Sequence, residues 1–175
     1  MNLGEGPFLP FAKGGFATAS GKAELYSQKL AAHGLDPVVS FVPPEESRHS
    51  EGARQFPLEL LARKADNFLN STFTNIPSIQ KMEHPELLEI SVADAGPREI
   101  REGDWVRIFN NRGEVRLRAH VNGTVQPGVV AARLNAARFA PDGNSINVLT
   151  SETLTDIGGG ATFYSCLVQV EAIKA

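Results

Sequence analysis

A segment rich in hydrogen-bond donors follows a short apolar stretch within residues 56–77, FPLELLARKADNFLNSTFTNIP. Leu58, Leu60 and Leu61 can bury one end of a strand. The side chains that follow are cationic or carry amides and hydroxyls: Arg63, Lys64, Asn67, Asn70, Ser71, Thr72 and Asn75. Such groups present donors to an anionic, hydrogen-bonding ligand. A surface loop behind a core strand is the alternative interpretation.

Two later loops also carry groups suited to binding. The polar turn at 142–150 contains Asn144 and Asn147, whose side-chain amides offer a donor and an acceptor together and can read the edge of a base. Three consecutive glycines at 158–160 let the backbone approach a ligand without obstruction by Cβ atoms. A flexible hairpin loop is the alternative for the glycine segment.

Groups that could catalyse a reaction are scarce. Cys166 lies in a strand-like run, which favours a small core residue over a nucleophile. The histidines lack the paired spacing with cysteines or carboxylates that a zinc site needs. The G-x-G-x-x-G, P-loop and G-x-S-x-G motifs are absent from the sequence. We therefore expect no catalytic residue and no metal ligand in this chain.

Length, composition and charge bound the remaining possibilities. A chain of 175 residues with 42% hydrophobic residues can bury one core, which predicts one ordinary domain or one domain with an arm. The formal charge of -3 gives no reason to expect nucleic acid, and no apolar run approaches the roughly 20 residues of a membrane span. With a single cysteine and no secretory signal at Met1, we expect a reducing, cytoplasmic compartment.

The elements that must position these loops are mostly strands. Alternating apolar residues within 100–121 predict a hairpin that turns at 110–113. Leu87 to Val92 predicts a strand, and 93–95 a helical turn that breaks at Gly96-Pro97. Two further strands are predicted, at 129–134 and 163–170. Short strands joined by glycine and proline turns point to a barrel or sandwich.

The first fifty residues follow a different pattern. Residues 4–15 show no sustained period, which predicts an extended arm docked through Phe8, Phe11 and Phe16. A short strand is predicted within 20–26.

A short helix and a linker are expected to complete this part. Ser27 can cap a helix over 28–33, and Gly34 suits its left-handed end. A proline-rich, polar linker follows, so we place a boundary near residue 50, with an arm at 1–50 and a β domain at 51–175.

The segments in order resemble the C-terminal molybdopterin-dinucleotide-binding domain of the molybdopterin oxidoreductases, which include formate dehydrogenases, nitrate reductases and dimethyl sulfoxide reductase. The resemblance covers residues 56–170 almost continuously. The segments that carry it are LELLARKADNFLNSTFTNIP, ELLEISVADAGPREIREGDWVRIFNNRGEVRLRAHV, QPGVV, NVLT and TDIGGGATFYSCLVQV. Residues 14–37 resemble the segment that precedes this domain, where a proline is more usual at Ala19.

This resemblance implies a mainly β fold: a double-psi β-barrel with a few short helices and an extended N-terminal arm. The barrel would cover one face of a bis-molybdopterin guanine dinucleotide, and its loops would hydrogen-bond the pterin and the guanosine diphosphate tail. The molybdenum or tungsten ligand and any iron–sulfur cluster would lie in the preceding catalytic domains, which are the implied partners. The isolated chain is then expected to catalyse nothing.

The resemblance also assigns individual residues to cofactor binding. Relatives read Thr-Gly-Arg at the strand end, with a glycine where this chain has Ala62, and Asn147 matches the first position of an Asn-x-Leu-Thr turn. Tyr164 stands where some nitrate reductases have a cofactor-contacting lysine, and Phe139 where those enzymes have a phenylalanine near the substrate. The cofactor-binding set is Leu61, Ala62, Arg63, Lys64, Asn70, Ser71, Asn147 and Tyr164.

The sequence thus predicts the C-terminal cofactor-binding domain of a molybdopterin-dependent oxidoreductase. A stand-alone double-psi barrel that binds a protein partner or a small molecule is the alternative. A self-contained enzyme that uses Cys166 or His120 is a third hypothesis.

Overall fold

The structure is a computed structural model that describes residues 9–133 and 145–174. It divides into two units, Met1–Val42 and Pro43–Ala175. Residues 43–50, which the sequence analysis places in the linker, therefore belong with the second unit.

The first unit contains one short helix, α1 (Gln28–Ala32). The Ser27 hydroxyl accepts a hydrogen bond from the Leu30 amide, and Gly34 has a φ of +73°, as the sequence predicts. The strand predicted within 20–26 is wrong, because the described residues there form only an isolated bridge between Tyr26 and Val38. Leu25 is 84% exposed, so the alternation has no surface against which to bury its apolar side.

The aromatic residues expected to dock the arm are partly described. The rings of Phe11 and Phe16 stack on each other with centroids 4.5 Å apart. Phe8 lies outside the described residues.

The second unit is mainly β and closes into a six-stranded barrel. The strands are β1 (Leu58–Arg63), β2 (Leu87–Ser91), β3 (Trp105–Phe109), β4 (Glu114–Asn122), β5 (Val129–Arg133) and β6 (Leu167–Ala172). Their order around the barrel is β1-β5-β2-β4-β3-β6. Two short helices, α2 (Pro77–Glu83) and α3 (Val92–Ala95), accompany them. The mainly β barrel with few short helices is confirmed.

Successive strands along the chain run in opposite directions, and three of the connections between them therefore lie at the same end of the barrel. β1 runs parallel to β5, and β2 runs parallel to β4, whereas β2 runs antiparallel to β5. β3 is antiparallel to both β4 and β6. The connections 64–86, 110–113 and 134–166 therefore emerge together, and we call this end of the barrel the loop end.

The core is filled by alternate residues of the strands. Val106, Ile108, Val115 and Leu117 are fully buried, and their register confirms the predicted hairpin with its turn at 110–113. Inward residues of the other strands join them in the core cluster: Leu58, Leu60, Leu88, Ile90, Val130, Ala132, Val168 and Val170. Burial of this one face fixes the register of each strand.

Two local predictions are wrong. The last strand begins at Leu167 rather than Phe163, because the Ser165 amide turns back to the Thr162 carbonyl at 2.9 Å. The helical turn at α3 continues through Gly96–Arg98 as a 3-10 turn, since Pro97 occupies a first-turn position where it needs no amide hydrogen. Within 9–133 and 145–174, no helix has the length and apolar character needed to cross a membrane.

Candidate functional site

The loop end carries the predicted binding residues that the structure describes. Lys64, Asn70 and Ser71 lie on the connection 64–86, directly after β1. Asn147 and Tyr164 lie on the connection 134–166. At the end of this connection, just before β6, the Cys166 carbonyl accepts a hydrogen bond from the Leu60 amide of β1. Asn144 and Phe139 lie outside the described residues.

The last three residues of β1 differ in how far their side chains are exposed. Leu61 is 49% exposed, whereas the Ala62 side chain is buried in the barrel. Ala62 pairs with Ala132 of β5, so only its backbone is available to a ligand. The alternation of the strand then directs Arg63 to the outer wall.

Arg63 is engaged on that outer wall. Its guanidinium forms an ion pair with Glu89 of β2, across the small Ala131 of the intervening strand. The Thr124 hydroxyl donates to the other Glu89 oxygen at 3.1 Å. The Nε of Arg63 is buried with no hydrogen-bond partner within the described part of the chain. This ion pair holds Arg63 at the start of the loop.

The loop beyond β1 exposes its polar residues. Lys64 is exposed, and its carbonyl accepts a hydrogen bond from Arg133 at 3.2 Å. Asn70 is exposed with a left-handed φ of 53°, and the carbonyl of exposed Ser71 accepts the Thr74 hydroxyl at 2.8 Å. Asparagine tolerates the left-handed region better than most residues, which suits this sharp turn.

A buried carboxylate, Glu83 at the end of α2, anchors the same loop. One oxygen accepts the Asn67 amide hydrogen at 2.5 Å and the Asn67 side chain at 2.6 Å. The other oxygen lies 3.3 Å from the Arg133 guanidinium. Burial alone would raise the pKa of Glu83, but the Asn67 hydrogen bonds and the Arg133 charge outweigh it and lower that pKa. The sequence gives no local signal of this contact, because Asn67, Glu83 and Arg133 are far apart along the chain.

A pocket of about 190 Å³ lies against this part of the outer wall. The charged side chains that line it already pair with one another, Arg63 with Glu89 and Arg133 with Glu83. Among the described residues, no group of three or more histidines, cysteines or carboxylates is placed to hold a metal ion.

Asn147 lies on a short, well-anchored turn. Residues Ile146–Leu149 form a 3-10 turn, and the Ser145 hydroxyl before it accepts a hydrogen bond from the Asn147 amide. Ile146 and Leu149 are fully buried, and Asn147 between them is exposed. Its side-chain amide has no hydrogen-bond partner in the described ranges, so it can donate and accept toward a ligand.

The carbonyl of Leu149 fastens this turn to the barrel. Asn110 Nδ2 donates to it at 2.8 Å, Arg112 Nε at 2.9 Å and Arg112 Nη2 at 2.6 Å. Cys166 Sγ donates at 3.1 Å. The sequence predicts only a turn at 110–113, because these partners come from distant parts of the chain.

The glycine segment forms the tip of an exposed hairpin. A backbone bridge joins Leu154 to Ala161, and the Thr155 hydroxyl accepts the Gly160 amide at 2.8 Å. Gly159 has a φ of +58° with nothing within 4 Å of a Cβ position, so a ligand can approach it closely, while its amide donates to the Thr155 carbonyl at 3.2 Å. Tyr164 is 58% exposed, and its ring lies 4.3 Å from that of Phe163.

These groups fit a large, polar and anionic ligand. An exposed ammonium group, an exposed amide with no partner among the described residues, and an open glycine backbone come from two separate connections at one end of the barrel. Cationic and amide donors match phosphate oxygens and the edge of a base. Arg63 fits less directly, because its guanidinium is already paired.

Comparisons with known proteins find similar sequences and a similar fold. The sequence model of the family described as "Molydopterin dinucleotide binding domain" matches residues 58–167. A probable oxidoreductase of Bacillus subtilis, YoaE, is 38% identical over 94% of this chain and 23% of its own length. The dimethyl sulfoxide reductase DmsA of Escherichia coli is 36% identical over 89% of this chain and 21% of its own length.

A solved structure is similar in fold. Acetylene hydratase from Pelobacter acetylenicus superposes with a TM-score of 0.70 at 20% identity, over 91% of this chain and 24% of that chain. The chain therefore spans between a fifth and a quarter of the length of these relatives.

Proposed function

The chain belongs to the molybdopterin dinucleotide-binding domain family, and from that premise we propose that it is the C-terminal cofactor-binding domain of a molybdopterin-dependent oxidoreductase. The family's ligand is a molybdopterin dinucleotide. The finer proposal is that the ligand is bis-molybdopterin guanine dinucleotide. The observation that supports it most is the convergence of donor-bearing connections at the loop end, inside the range that the family matches.

Four side chains are proposed to hold the cofactor: Lys64, Asn70, Ser71 and Asn147. The ammonium group of Lys64 would neutralise phosphate charge, and the Asn147 amide would read the edge of the guanine base. Leu61, Ala62 and Tyr164 would contribute surface or backbone contacts, and Arg63 would hold the start of the loop through Glu89. The cofactor, when bound, supplies the redox-active molybdenum or tungsten, and this chain binds and orients it.

The remaining parts of the proposal concern architecture and partners. Two parallel strand pairs, β1 with β5 and β2 with β4, support a double-psi topology. We propose the preceding catalytic domains of the same enzyme as partners, since the chain spans about a fifth of DmsA. Exposed apolar side chains of the first unit support such a contact: Leu9, Phe11, Leu25, Tyr26, Val38, Val39, Phe41 and Val42.

A nucleotide titration tests base recognition. The whole chain is titrated with GDP or with ADP, and amide shifts in NMR spectra give the two dissociation constants. We expect GDP to bind about fivefold more tightly or better, since a paired amide contact to a base edge discriminates by about 1 kcal/mol or more. Asn147→Ala should remove this preference. Gln126→Ala, an exposed amide at the opposite end of the barrel, should keep it.

A second measurement tests the form of the cofactor. The full-length protein that carries this chain is hydrolysed, and guanine nucleotide and metal are quantified. We expect two guanine nucleotides per molybdenum or tungsten atom. A protein without bound guanine nucleotide, or a chain that binds GDP and ADP equally, would overturn the proposal.

A further inference from the structure

One carbonyl oxygen, that of Leu149, ties the Asn147 turn to the barrel. A carbonyl has two lone pairs, yet four donor atoms from three side chains converge on this one at 2.6–3.1 Å. The donors belong to Asn110 and Arg112 in the β3–β4 turn and to Cys166 before β6. Asn110 is 9% exposed and also donates to the Leu167 carbonyl at 3.1 Å. The turn is therefore fixed to the β3–β4 turn and to the end of its own connection.

Arg112 is itself held by Glu46. Its Nη1 and Nη2 donate to the two Glu46 oxygens at 2.6 and 2.8 Å, which is a bidentate pair. Glu46 also accepts the Leu167 amide hydrogen at 3.0 Å. The two side chains are 28% and 22% exposed, so the pair is largely shielded from water. Glu46 lies 12 residues before the range that the family model matches, which begins at residue 58.

The constraint reaches Asn147 through one turn of backbone. Leu149 is two residues from Asn147, and the Asn147 carbonyl accepts both the amide and the hydroxyl of Thr150, at 3.2 and 2.9 Å. The β3–β4 turn also packs closely against the Asn147 turn, because a Cβ placed on Gly113 would lie 3.1 Å from the Val148 side chain. The Asn147 turn therefore cannot move closer to the β3–β4 turn. The hydrogen bonds to the Leu149 carbonyl keep it from moving away.

From this arrangement we propose that Glu46, Asn110 and Arg112 are positioning residues that hold the Asn147 amide toward the cofactor through the Leu149 carbonyl. The inference rests on the proposed function, in which Asn147 reads the guanine base. Arg112 is suited to this role because one planar guanidinium donates to Leu149 along one edge and to Glu46 along the other. A lysine keeps the charge but cannot make both contacts in a fixed geometry.

Hydrogen exchange in the free chain tests the positioning without any ligand. The amides of Val148 and Thr150 hydrogen-bond within the turn, to Ser145 and Asn147. Arg112→Lys should accelerate their exchange about tenfold, while the amide of Leu117 in the core hairpin should exchange as in the wild type. Arg116→Lys is the matched control, because Arg116 lies on the same hairpin and, within the described part of the chain, pairs only with Glu114 at 3.4 Å. Unchanged exchange at Val148 and Thr150 would overturn the inference.

A double-mutant cycle tests whether the effect passes through Asn147. Arg112→Lys should weaken GDP binding about fivefold in the wild-type background and by less than about twofold in the Asn147→Ala background. Glu46→Gln should behave in the same way with a smaller effect, and it serves as the milder variant if Arg112→Lys folds poorly. Equal losses in both backgrounds would overturn the positioning role and leave the proposed function standing. A wild-type chain without preference for GDP would overturn the proposed function and this inference with it.

Discussion

Cys166 illustrates how burial decides the chemistry of a single residue. It is 3% exposed, and its burial together with the Glu46 carboxylate raises the pKa of the thiol to about 11. At pH 8 only about one thiol in 1,000 is then ionised. We expect a thiol reagent to label the folded chain at pH 8 far more slowly than the chain unfolded in guanidinium chloride. Rapid labelling of the folded chain would contradict this placement.

Glu46 is predicted to make stability depend on pH. Burial by itself raises the pKa of Glu46. The hydrogen bonds from Arg112 and the Leu167 amide together have the larger, opposite effect, so the pKa lies below the usual 4.5. A carboxyl with a lowered folded pKa stabilises the protein above its unfolded pKa, and this contribution disappears as pH falls through the folded pKa. The pair should contribute about 1–2 kcal/mol at neutral pH.

Comparison with Glu46→Gln isolates that contribution. The wild type should be more stable than the variant in urea unfolding at pH 7, and the difference should shrink steadily below about pH 4.5. Glu99→Gln is the control, because Glu99 is 79% exposed on the side chain and pairs loosely with Lys174. A difference between wild type and Glu46→Gln that stays constant down to pH 3 would rule out this ion pair as its source.

At the scale of elements, the contact between the β3–β4 turn and the Asn147 turn leaves no spare volume. A Cβ on Gly113 would lie 3.1–3.2 Å from Val148, including its backbone oxygen, so Gly113→Ala must push the two turns apart. We expect a loss of about 1–3 kcal/mol in the free energy of unfolding, the usual cost of overpacking. Gly123→Ala has nothing within 4 Å of its Cβ and should unfold like the wild type in the same denaturant titration.

Elements whose pattern is local could be predicted from the sequence. The β3–β4 hairpin is an example. Apolar and polar residues alternate within one short stretch of sequence, and this pattern predicts the buried face of Val106, Ile108, Val115 and Leu117. The helix capped by Ser27 is another, since its start and end signals lie beside it. The strand predicted within 20–26 failed because alternation alone cannot supply a neighbouring strand.

The parts that could not be predicted depend on distant partners. Glu46 and Arg112 are 66 residues apart, and Asn110 reaches Leu167 across 57 residues. Nothing in either local pattern signals such contacts. Similarly, the interpretation of Arg63 as a free donor could not anticipate Glu89, which is two strands away around the barrel.

On the scale of the whole molecule, alternating strand direction explains how binding groups far apart in sequence come together. A chain that runs up and down around a closed barrel places every second connection at the same end. The other two connections, 92–104 and 123–128, emerge at the opposite end. This separation predicts that a substitution at Gln126 leaves nucleotide recognition intact, whereas Thr124 in the same connection reaches Glu89 through its hydroxyl.

The extent of the folded unit is the last consequence at this scale. The second unit begins at Pro43, and residues 46 and 48 bind the barrel: Glu46 pairs with Arg112, and the Arg48 guanidinium pairs with Glu59 at 2.5 Å. A shortened chain that starts at residue 43 keeps both pairs, whereas one that starts at residue 51 loses both and leaves Arg112 without its carboxylate partner. We expect the chain from 51 to be less stable by about 2 kcal/mol, measured by urea unfolding at pH 7.

Point substitutions should show which residue accounts for this difference. Glu46→Gln in the chain from 43 should reproduce most of the loss, because its pair with Arg112 is the more shielded of the two. Arg48→Gln should have the smaller effect, since its side chain is 51% exposed. Equal stability of the two shortened chains would place the domain boundary near residue 50, as the linker sequence alone suggests, and would show that Glu46 does not hold Arg112 in solution.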